Sequence, residues 1–191
     1  AEACEGTGQE EGLIHKLAQS CSRPSNLARM TAPGMLTRDE LESLIRNGHV
    51  DTVLMVFPDL QGRLVGKRTT GRFFLQTVAD AGTENCDYLI ACDIDNNPVS
   101  GYRFTSYEQG YGDMLAKADW ATVRLIPWVE KTAMIMCDLL DVDTNELIAV
   151  APRSILQHQV DAAAAMGFLP MVASEIEFYL FQDTYDEAHE K

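Results

Sequence analysis

The sequence predicts an α+β fold, because a hairpin pattern is followed by a helical pattern and then by further strand-like runs. Residues 51–57 and 63–69 contain β-branched and apolar side chains and flank turn residues at 58–62, as in a hairpin. Residues 71–81 have helical spacing and end at Gly82. With 191 residues, of which 46% are hydrophobic and 23% charged, the chain has the composition of a globular protein that can bury a core.

A short helix precedes this hairpin. Thr37 and Glu40 have the spacing of a capping box, and Asn47 with Gly48 supplies a stop signal at the other end. Residues 1–29 show weak periodicity, so we expect a disordered extension there.

Further strands and a second helix follow. Residues 88–92, 121–126 and 132–139 are predicted strands, and together with the hairpin and its following helix they indicate a domain of β-grasp type. Pro152 suits the first turn of a helix that ends at Gly167. The chain therefore divides into a disordered extension, a leading helix, a β-grasp domain and the beginning of a second domain, over residues 1–29, 30–48, 49–147 and 148–191.

The composition argues against several classes of protein. The net charge of −14 and the pI near 4.5 disfavour nucleic acid or an anionic membrane as a partner, because either needs a basic face. No run of eighteen consecutive apolar residues predicts a membrane span, and the first residues lack the pattern of a secretory signal. The five cysteines are odd in number and include no Cys-x-x-Cys pair, so we expect reduced thiols in a cytoplasmic protein.

Two glutamates in an apolar run are the strongest candidates for a functional site. Residues 169–181 are rich in Phe, Tyr, Val and Leu and predict a buried strand. Glu175 and Glu177 lie two apart on it, so both carboxylates would project from one face. Adjacent buried anions need compensation, which a hard divalent cation with oxygen ligands provides. The alternative is an exposed strand face with two solvated glutamates.

These residues resemble the glutamine synthetase family. The run Ser174-Glu175-Ile176-Glu177-Phe178 is similar to the Glu-x-Glu-Phe segment that opens the family's metal site. Three upstream segments are similar to the family in order and spacing: Gly112-Asp113-Met114, Cys137-Asp138-Leu139-Leu140-Asp141 and Ala151-Pro152-Arg153-Ser154-Ile155-Leu156. The resemblance implies a β-grasp domain followed by the start of a glutamine synthetase-type catalytic domain.

The resemblance also implies an ATP-dependent ligase that joins ammonia or an organic amine to the γ-carboxylate of glutamate through γ-glutamyl phosphate. Glu175 would hold the Mg²⁺ or Mn²⁺ ion that contacts the ATP phosphates, and Glu177 the ion nearer the substrate glutamate. A homo-oligomer, a dodecamer by family, would have its active sites between subunits. The family's remaining ligands come from later sequence, so we expect an N-terminal fragment that is inactive alone.

Asp93 lies where the family places an acidic loop that reaches a neighbouring subunit's active site and helps to bind ammonium. Glutamine synthetases carry Phe-Asp-Gly-Ser-Ser there, whereas this chain has Cys-Asp-Ile-Asp-Asn, which makes a polyamine or an amino alcohol an alternative to ammonia as acceptor. An Asx turn is the structural alternative for Asp93. Asp113 is a second acidic candidate for the same site.

Three further alternatives stay open. The basic residues of the hairpin, from Arg63 to Arg68, could contact an anion or be solvated. Arg153 could form a salt bridge or a subunit contact. For the chain as a whole, the rival to a ligase is a noncatalytic β-grasp interaction module or paralogue that kept the fold.

Overall fold

A mixed sheet organises the part of the chain that the structure describes. The computed structural model of the protein describes residues 35–108 and 110–191, so the predicted extension over residues 1–29 lies outside the described residues. The strands are β1 Thr52–Pro58, β2 Leu64–Thr70, β3 Thr83–Cys86, β4 Asp113–Ala118, β5 Arg124–Leu125 and β6 Thr132–Asp141. Their order in the sheet is β2-β1-β6-β4-β3, and β5 pairs with β6.

The predicted hairpin is confirmed, and its first strand lies beside the middle of the sheet. β1 and β2 pair antiparallel, with Thr52 opposite Thr70. β1 is parallel to β6, with Thr52 opposite Thr132, and β4 pairs antiparallel with β6 on its other side. Parallel strands require a long connection, and here the connection from β1 to β6 contains all the other strands.

Segments with α-helical turns occur at four places in the described ranges. They are α1 Arg38–Arg46, α2 over residues 71–81, α3 Pro152–Ala165 and α4 Tyr185–Glu190, where α2 consists of an α-helical turn Gly71–Phe73, a π-helical turn Phe74–Val78 and a second α-helical turn Ala79–Ala81. None of the helices in these ranges has the length and apolar character needed to cross a membrane.

The capping box predicted for α1 is formed. The Thr37 hydroxyl accepts a hydrogen bond from the Glu40 backbone at 3.2 Å, and the Glu40 carboxylate accepts one from the Thr37 backbone at 2.7 Å. The hydrogen bonds from Thr37 lower the pKa of Glu40. α1 ends at the predicted stop, where Gly48 has φ of +73°, and its Leu41 side chain is fully buried in the core.

The helix α2 packs across the sheet. Phe74, Val78 and Ala79 are buried. Gly82 ends the helix with φ of +85°, and a Cβ atom there would lie 2.7 Å from the Ala116 carbonyl oxygen. This backbone conformation and this close approach both require glycine.

The core lies between the sheet and the helices α1 and α2. It consists of side chains from every layer: Leu41, Val50, Val53, Met55, Phe57, Phe74, Val78, Met114, Ala116, Val123, Ala133, Ile135, Cys137, Leu139 and Ile148. Burial raises the pKa of the Cys137 thiol to about 12, so this cysteine acts as a small apolar side chain. Within residues 35–108 and 110–191, Cys86, Cys92 and Cys137 are free thiols, and the other two cysteines lie outside the described residues.

The prediction of a strand over residues 88–92 is wrong. The strand β3 ends at Cys86, and a 3-10 helix Asp87–Ile90 follows it. The reason is the buried Asp87 carboxylate, which accepts hydrogen bonds from the Thr105 hydroxyl at 2.6 Å and the Gly112 backbone at 3.1 Å. These two hydrogen bonds hold Asp87 in place, and a strand that continued past Cys86 would move the Asp87 carboxylate away from Thr105 and Gly112.

Two neighbouring predictions need a smaller correction. The predicted strand over residues 121–126 is reduced to Arg124–Leu125, because the 3-10 turn Trp120–Thr122 occupies its first part. The strand Asp113–Ala118 was not predicted from the sequence. The strand predicted over residues 132–139 is confirmed and extends to Asp141.

The predicted buried strand over residues 169–181 is not formed. Residues 168–181 have no regular secondary structure, and Phe178 and Leu180 are 78% and 91% exposed. A strand needs a partner for its backbone hydrogen bonds. No strand of the described ranges pairs with this segment. The predicted helix before it is confirmed as α3, which is followed by Gly167 with φ of +84°.

Candidate functional site

Asp93 lies in a narrow loop that is closed at its base. Cys92 forms an isolated antiparallel bridge with Pro98. Inside the loop, the Asp93 backbone donates a hydrogen bond to the Asn97 carbonyl at 2.9 Å. We call residues 92–98 the acidic loop.

The Asp93 carboxylate is the internal support of the acidic loop. Its Oδ1 accepts hydrogen bonds from the backbones of Asp95 at 2.9 Å and Asn97 at 2.8 Å, and its Oδ2 accepts one from Asn97 Nδ2 at 3.2 Å. The backbone hydrogen bond from Asn97 is the largest cause that lowers the pKa of Asp93, so the group is ionised at neutral pH. A carboxylate has about four lone-pair sites. The hydrogen bonds within the loop occupy three of these sites.

Side chains from the β1–β2 hairpin hold the acidic loop from outside. Gln61 Nε2 donates to the Cys92 carbonyl at 3.0 Å, and Arg63 Nη2 donates to the Asp93 carbonyl at 2.9 Å. Arg63 Nη1 donates to the Ile94 carbonyl. Three successive carbonyl groups of the loop are therefore bound to two hairpin side chains.

Asp59 fixes these two hairpin residues in place. Its side chain is 2% exposed. Oδ1 accepts hydrogen bonds from the backbones of Gln61 and Arg63, each at 2.9 Å, and Oδ2 accepts one from Arg63 Nε at 2.7 Å. Burial alone would raise the pKa of Asp59, but these hydrogen bonds outweigh it and lower the pKa. We call Asp59, Gln61 and Arg63 the hairpin clamp.

The hairpin clamp was missed by sequence reasoning. The basic residues of the hairpin were expected to contact an anion or water, whereas Arg63 binds a carboxylate of its own turn and two loop carbonyls. Arg68, farther along the hairpin, is exposed. The signal that could have indicated the difference is the spacing of Asp59 and Arg63, which places opposite charges four positions apart around the hairpin turn.

The tip of the acidic loop faces solvent. Ile94 is 65% exposed, and Asp95 is also exposed. The loop thus presents an apolar side chain and a second carboxylate beside Asp93. Both features are absent from a loop of small residues, and both can contact a ligand that approaches from outside the domain.

Asp113 lies at the first position of β4, opposite Cys86, and is exposed. The preceding residue, Gly112, is held by the Asp87 carboxylate. No hydrogen bond or ion pair among the described residues joins Asp113 to Asp93. Its assignment to the same site therefore stays a prediction.

Glu175 and Glu177 lie in the exposed segment after α3. The shared strand face that was predicted for them is not present, because the strand is not formed. In the ranges that the structure describes, no cluster of three or more His, Cys, Asp or Glu side chains could hold a metal ion. Their oxygen donors suit a hard cation, but their role as ligands stays a prediction.

Arg153 joins the start of α3 to the sheet. Its Nε donates to Asp138 Oδ1 and its Nη2 to Asp119 Oδ2, both at 2.8 Å. Desolvation by burial would lower the pKa of Arg153, but the two carboxylates outweigh it and raise the pKa. The salt bridge, one of the two alternatives for this residue, is confirmed.

Comparison with known proteins identifies the family. Residues 149–191 match the family model described as glutamine synthetase, catalytic domain. Over 150 residues, which are 78% of this chain and 32% of the relative, the sequence is 48% identical to gamma-glutamylethanolamide synthetase GlnA4 of Streptomyces coelicolor. The chain belongs to the glutamine synthetase family.

A second relative supports this family, and a solved structure supports the fold. Glutamate–isopropylamine ligase of a Pseudomonas species is 31% identical over 145 residues, which are 76% of this chain and 31% of the relative. The solved structure of a GmaS/ADP complex has a TM-score of 0.50 at 21% identity, covering 66% of this chain and 26% of that one, which supports the mixed helix and sheet fold. This glutamine synthetase family chain spans about a third of the length of the curated relatives it matches.

Proposed function

We propose that the protein is an ATP-dependent ligase that joins an organic amine to the γ-carboxylate of glutamate through γ-glutamyl phosphate. The observation that carries the proposal is the 48% identity to gamma-glutamylethanolamide synthetase GlnA4 over 150 residues. A continuous stretch of that length in a chain of 191 residues includes the acidic loop and the hairpin clamp wherever it begins.

Asp93 is the residue that we assign to the amine. An ionised carboxylate with one free lone-pair site attracts a protonated amine and orients it. Its lowered pKa suits it to hold a cation, because a weakly basic carboxylate is a poor proton acceptor. The amine gives one proton to water, and its nitrogen attacks the γ-carbonyl carbon of γ-glutamyl phosphate. The C–N bond forms, the C–O bond to phosphate breaks, and the nitrogen gives its second proton to the inorganic phosphate that leaves. Asp113 is our second acidic candidate for this site.

Glu175 and Glu177 would hold Mg²⁺ or Mn²⁺. When bound, these ions would offset phosphate charge during phosphoryl transfer from ATP. The donor chemistry fits, because both cations prefer oxygen ligands. Two carboxylates alone do not complete the coordination that Mg²⁺ takes, so we assign the remaining positions to water, substrate phosphates and sequence that the curated relatives contain and this chain does not span.

We further propose that residues 49–147 form a β-grasp domain. The order β2-β1-β6-β4-β3, the parallel pair at its middle and the helix α2 across the sheet support this assignment. The exposed acidic loop would reach the active site of a neighbouring subunit in a homo-oligomer. In that arrangement the Glu pair and the acidic loop of one site come from different copies of the chain.

The acceptor that we favour is a small organic amine, with ethanolamine first. One relative is named for the amide of ethanolamine that it makes, and another for the isopropylamine that it joins to glutamate. Ile94 at the exposed tip offers an apolar contact for a carbon chain, which ammonia lacks. Asp95 adds a negative charge that favours cationic substrates.

A substrate panel with the full-length protein tests the proposal. Phosphate release is measured with ATP, glutamate and Mg²⁺, and with ammonia, ethanolamine, isopropylamine, putrescine or spermine at equal concentrations. We expect kcat/KM to be at least tenfold higher for ethanolamine than for ammonia. A tenfold preference for ammonia, about 1.4 kcal/mol in transition-state binding, would overturn the choice of acceptor. Phosphate release that no amine stimulates would overturn the ligase, and the absence of any phosphate release would favour the noncatalytic rival.

Substitution of the Glu pair tests the metal assignment in the same assay. Glu175→Gln and Glu177→Gln keep the side-chain shape but remove the anion, so we expect severe loss of turnover and a higher requirement for Mg²⁺ or Mn²⁺. Glu146→Gln, in an exposed turn, is the matched control. Near-normal turnover of both variants at low metal concentration would contradict the assignment.

A further inference from the structure

The hairpin clamp uses all three nitrogen atoms of one guanidinium and three of its five N–H donors. Arg63 binds Asp59 through Nε and the carbonyls of Asp93 and Ile94 through its two Nη atoms. A guanidinium is planar and rigid, so its three bonds fix three positions relative to one another. The contacts join residues about thirty positions apart in sequence.

The buried end of this arrangement is fixed independently of the loop. Asp59 is bound to the backbones of Gln61 and Arg63 and is 2% exposed, so the turn itself holds the carboxylate. The solvent-facing end carries Ile94, which is 65% exposed. An exposed loop with few buried apolar contacts is expected to open easily, and the clamp is what ties this loop to the sheet.

The charges of the clamp suit a site for a cation. An arginine next to Asp93 without a counter-charge would repel a protonated amine. Here Asp59 pairs with Arg63 at 2.7 Å and offsets its positive charge, while the guanidinium still donates to the loop. The carboxylates of Asp93 and Asp95 then give the loop a negative tip.

We propose that Arg63 is a positioning residue for the amine, holding the acidic loop in its amine-binding geometry through Asp59 and the carbonyls of Asp93 and Ile94. This inference rests on the proposed function. It assigns no bond-making or proton-transfer role to Arg63, which does not itself touch the amine.

The variant Arg63→Lys tests the inference, because lysine keeps the charge but replaces a planar fork with a single ammonium. In the full-length protein, with ethanolamine as probe, we expect KM for ethanolamine to rise at least tenfold. KM for ATP and for glutamate should change less than twofold. Arg68→Lys, an exposed arginine of the same hairpin, is the matched control and should leave all three KM values unchanged.

Hydrogen exchange of the backbone amides gives a readout that does not depend on activity. The amides of Asp95 and Asn97, which bond to Asp93, should exchange at least tenfold faster in Arg63→Lys while those of β1 and β6 stay protected. Gln61→Ala, which removes one clamp bond, provides a milder variant in case Arg63→Lys does not fold, and should shift the same amides by a smaller factor.

The outcomes separate the two proposals. Unchanged exchange at Asp95 and Asn97 in both clamp variants would overturn the positioning role. A parallel rise of all three KM values would also overturn it, because that pattern indicates general damage. Faster exchange confined to the loop, in a protein that shows no amine-dependent phosphate release, would support the clamp and reject the proposed function.

Discussion

The Asp93 carboxylate can support its own loop or bind an amine. In the structure, three hydrogen bonds from the loop occupy most of its oxygen lone pairs. Three loop hydrogen bonds make it an Asx-type support, which was the structural alternative derived from the sequence. The remaining acceptor position and the negative charge are what an amine could use. Loop support and amine binding are therefore compatible. A variant that keeps the loop hydrogen bonds but removes the charge can test amine binding separately.

We predict that Asp93→Asn separates these roles. The amide oxygen can still accept from the Asp95 and Asn97 backbones, so the loop is largely retained, while the negative charge is lost. We expect kcat/KM for ethanolamine to fall at least tenfold, corresponding to about 1.4 kcal/mol, in the full-length protein. Asp95→Asn, which removes a charge without touching the internal bonds, is the comparison. If kcat/KM for ethanolamine falls less than twofold in Asp93→Asn, Asp93 has a structural role only.

The pH dependence of stability should reveal the Asp59–Arg63 pair. Asp59 has a folded-state pKa below its ordinary value, so its contribution is present above the unfolded-state pKa of about 3.9. That contribution is lost as pH falls through the folded-state pKa. We predict that Asp59→Asn lowers the free energy of unfolding by about 2 kcal/mol between pH 5 and pH 7.

Urea unfolding at several pH values measures this difference. The gap between wild type and Asp59→Asn should be constant above about pH 5 and should shrink below about pH 4. Other carboxylates with lowered pKa, such as Glu40 and Asp141, act in both proteins and cancel in the comparison. A gap that stays constant down to pH 2 would show that the Asp59 charge contributes no stability.

At the scale of elements, the junction after α2 depends on one glycine. Gly82 has φ of +85° and ψ of −167°, a region that is essentially restricted to glycine. We predict that Gly82→Ala costs about 3 kcal/mol or more, from strain of about 1–3 kcal/mol plus the 2.7 Å approach of the new Cβ to the Ala116 carbonyl.

Gly48→Ala is the control for this prediction. Gly48 also has positive φ, at +73°, but nothing lies within 4 Å of a Cβ atom there. It should therefore cost only the conformational strain, about 1–2 kcal/mol. Urea denaturation of both variants measures the difference, and equal costs would mean that β4 moves away from Gly82 without penalty.

The elements that the sequence predicts correctly are those whose signals are local. The Thr37–Glu40 capping box and the β1–β2 hairpin depend on residues a few positions apart, and both are present. The predicted strand at 88–92 is absent, because Asp87 is anchored to Thr105 and Gly112, which lie 18 and 25 residues away. No local pattern contains that information.

In the candidate site, too, local features could be predicted from the sequence and long-range contacts could not. The acidic loop and its turn residues are visible as a motif, so Asp93 could be singled out from the sequence. The bonds from Arg63 to the loop cross 30 residues and depend on the folded sheet. Their existence could not be derived from the identity of Arg63 alone, although its spacing from Asp59 is a usable signal.

At the scale of the whole molecule, apolar side chains of the described chain become mostly exposed after the first turn of α3. Ser154 is buried there, whereas Leu156 and Met166 are 64% and 68% exposed. The apolar run at 169–181 continues this exposure. Apolar periodicity indicates which side chains a protein buries, but the surface that covers them must also be present for a strand to form.

We predict that Arg153 controls how firmly α3 is attached to the sheet. Arg153→Met keeps the length of the aliphatic stem but leaves Asp119 and Asp138 without their shared cation. The loss should be about 2 kcal/mol of unfolding free energy, the range for hydrogen bonds to charged groups. The amides of α3 from Ile155 onward, the first of which donates to the Ala151 carbonyl, should lose protection from hydrogen exchange before those of β6.

The salt dependence of this effect provides the deciding measurement. Arg153 and Asp119 are each more than a quarter exposed, so salt should weaken the pair and reduce the cost of Arg153→Met between 0.05 M and 1 M NaCl. Arg153→Lys retains the charge with a single donor, and its cost should lie between those of wild type and Arg153→Met. If Arg153→Met leaves both the unfolding free energy and the exchange at the start of α3 unchanged, the ion pairs do not attach the helix. Burial of Ala151 in the hydrophobic core, just before the first residue of α3, would then be what attaches the helix.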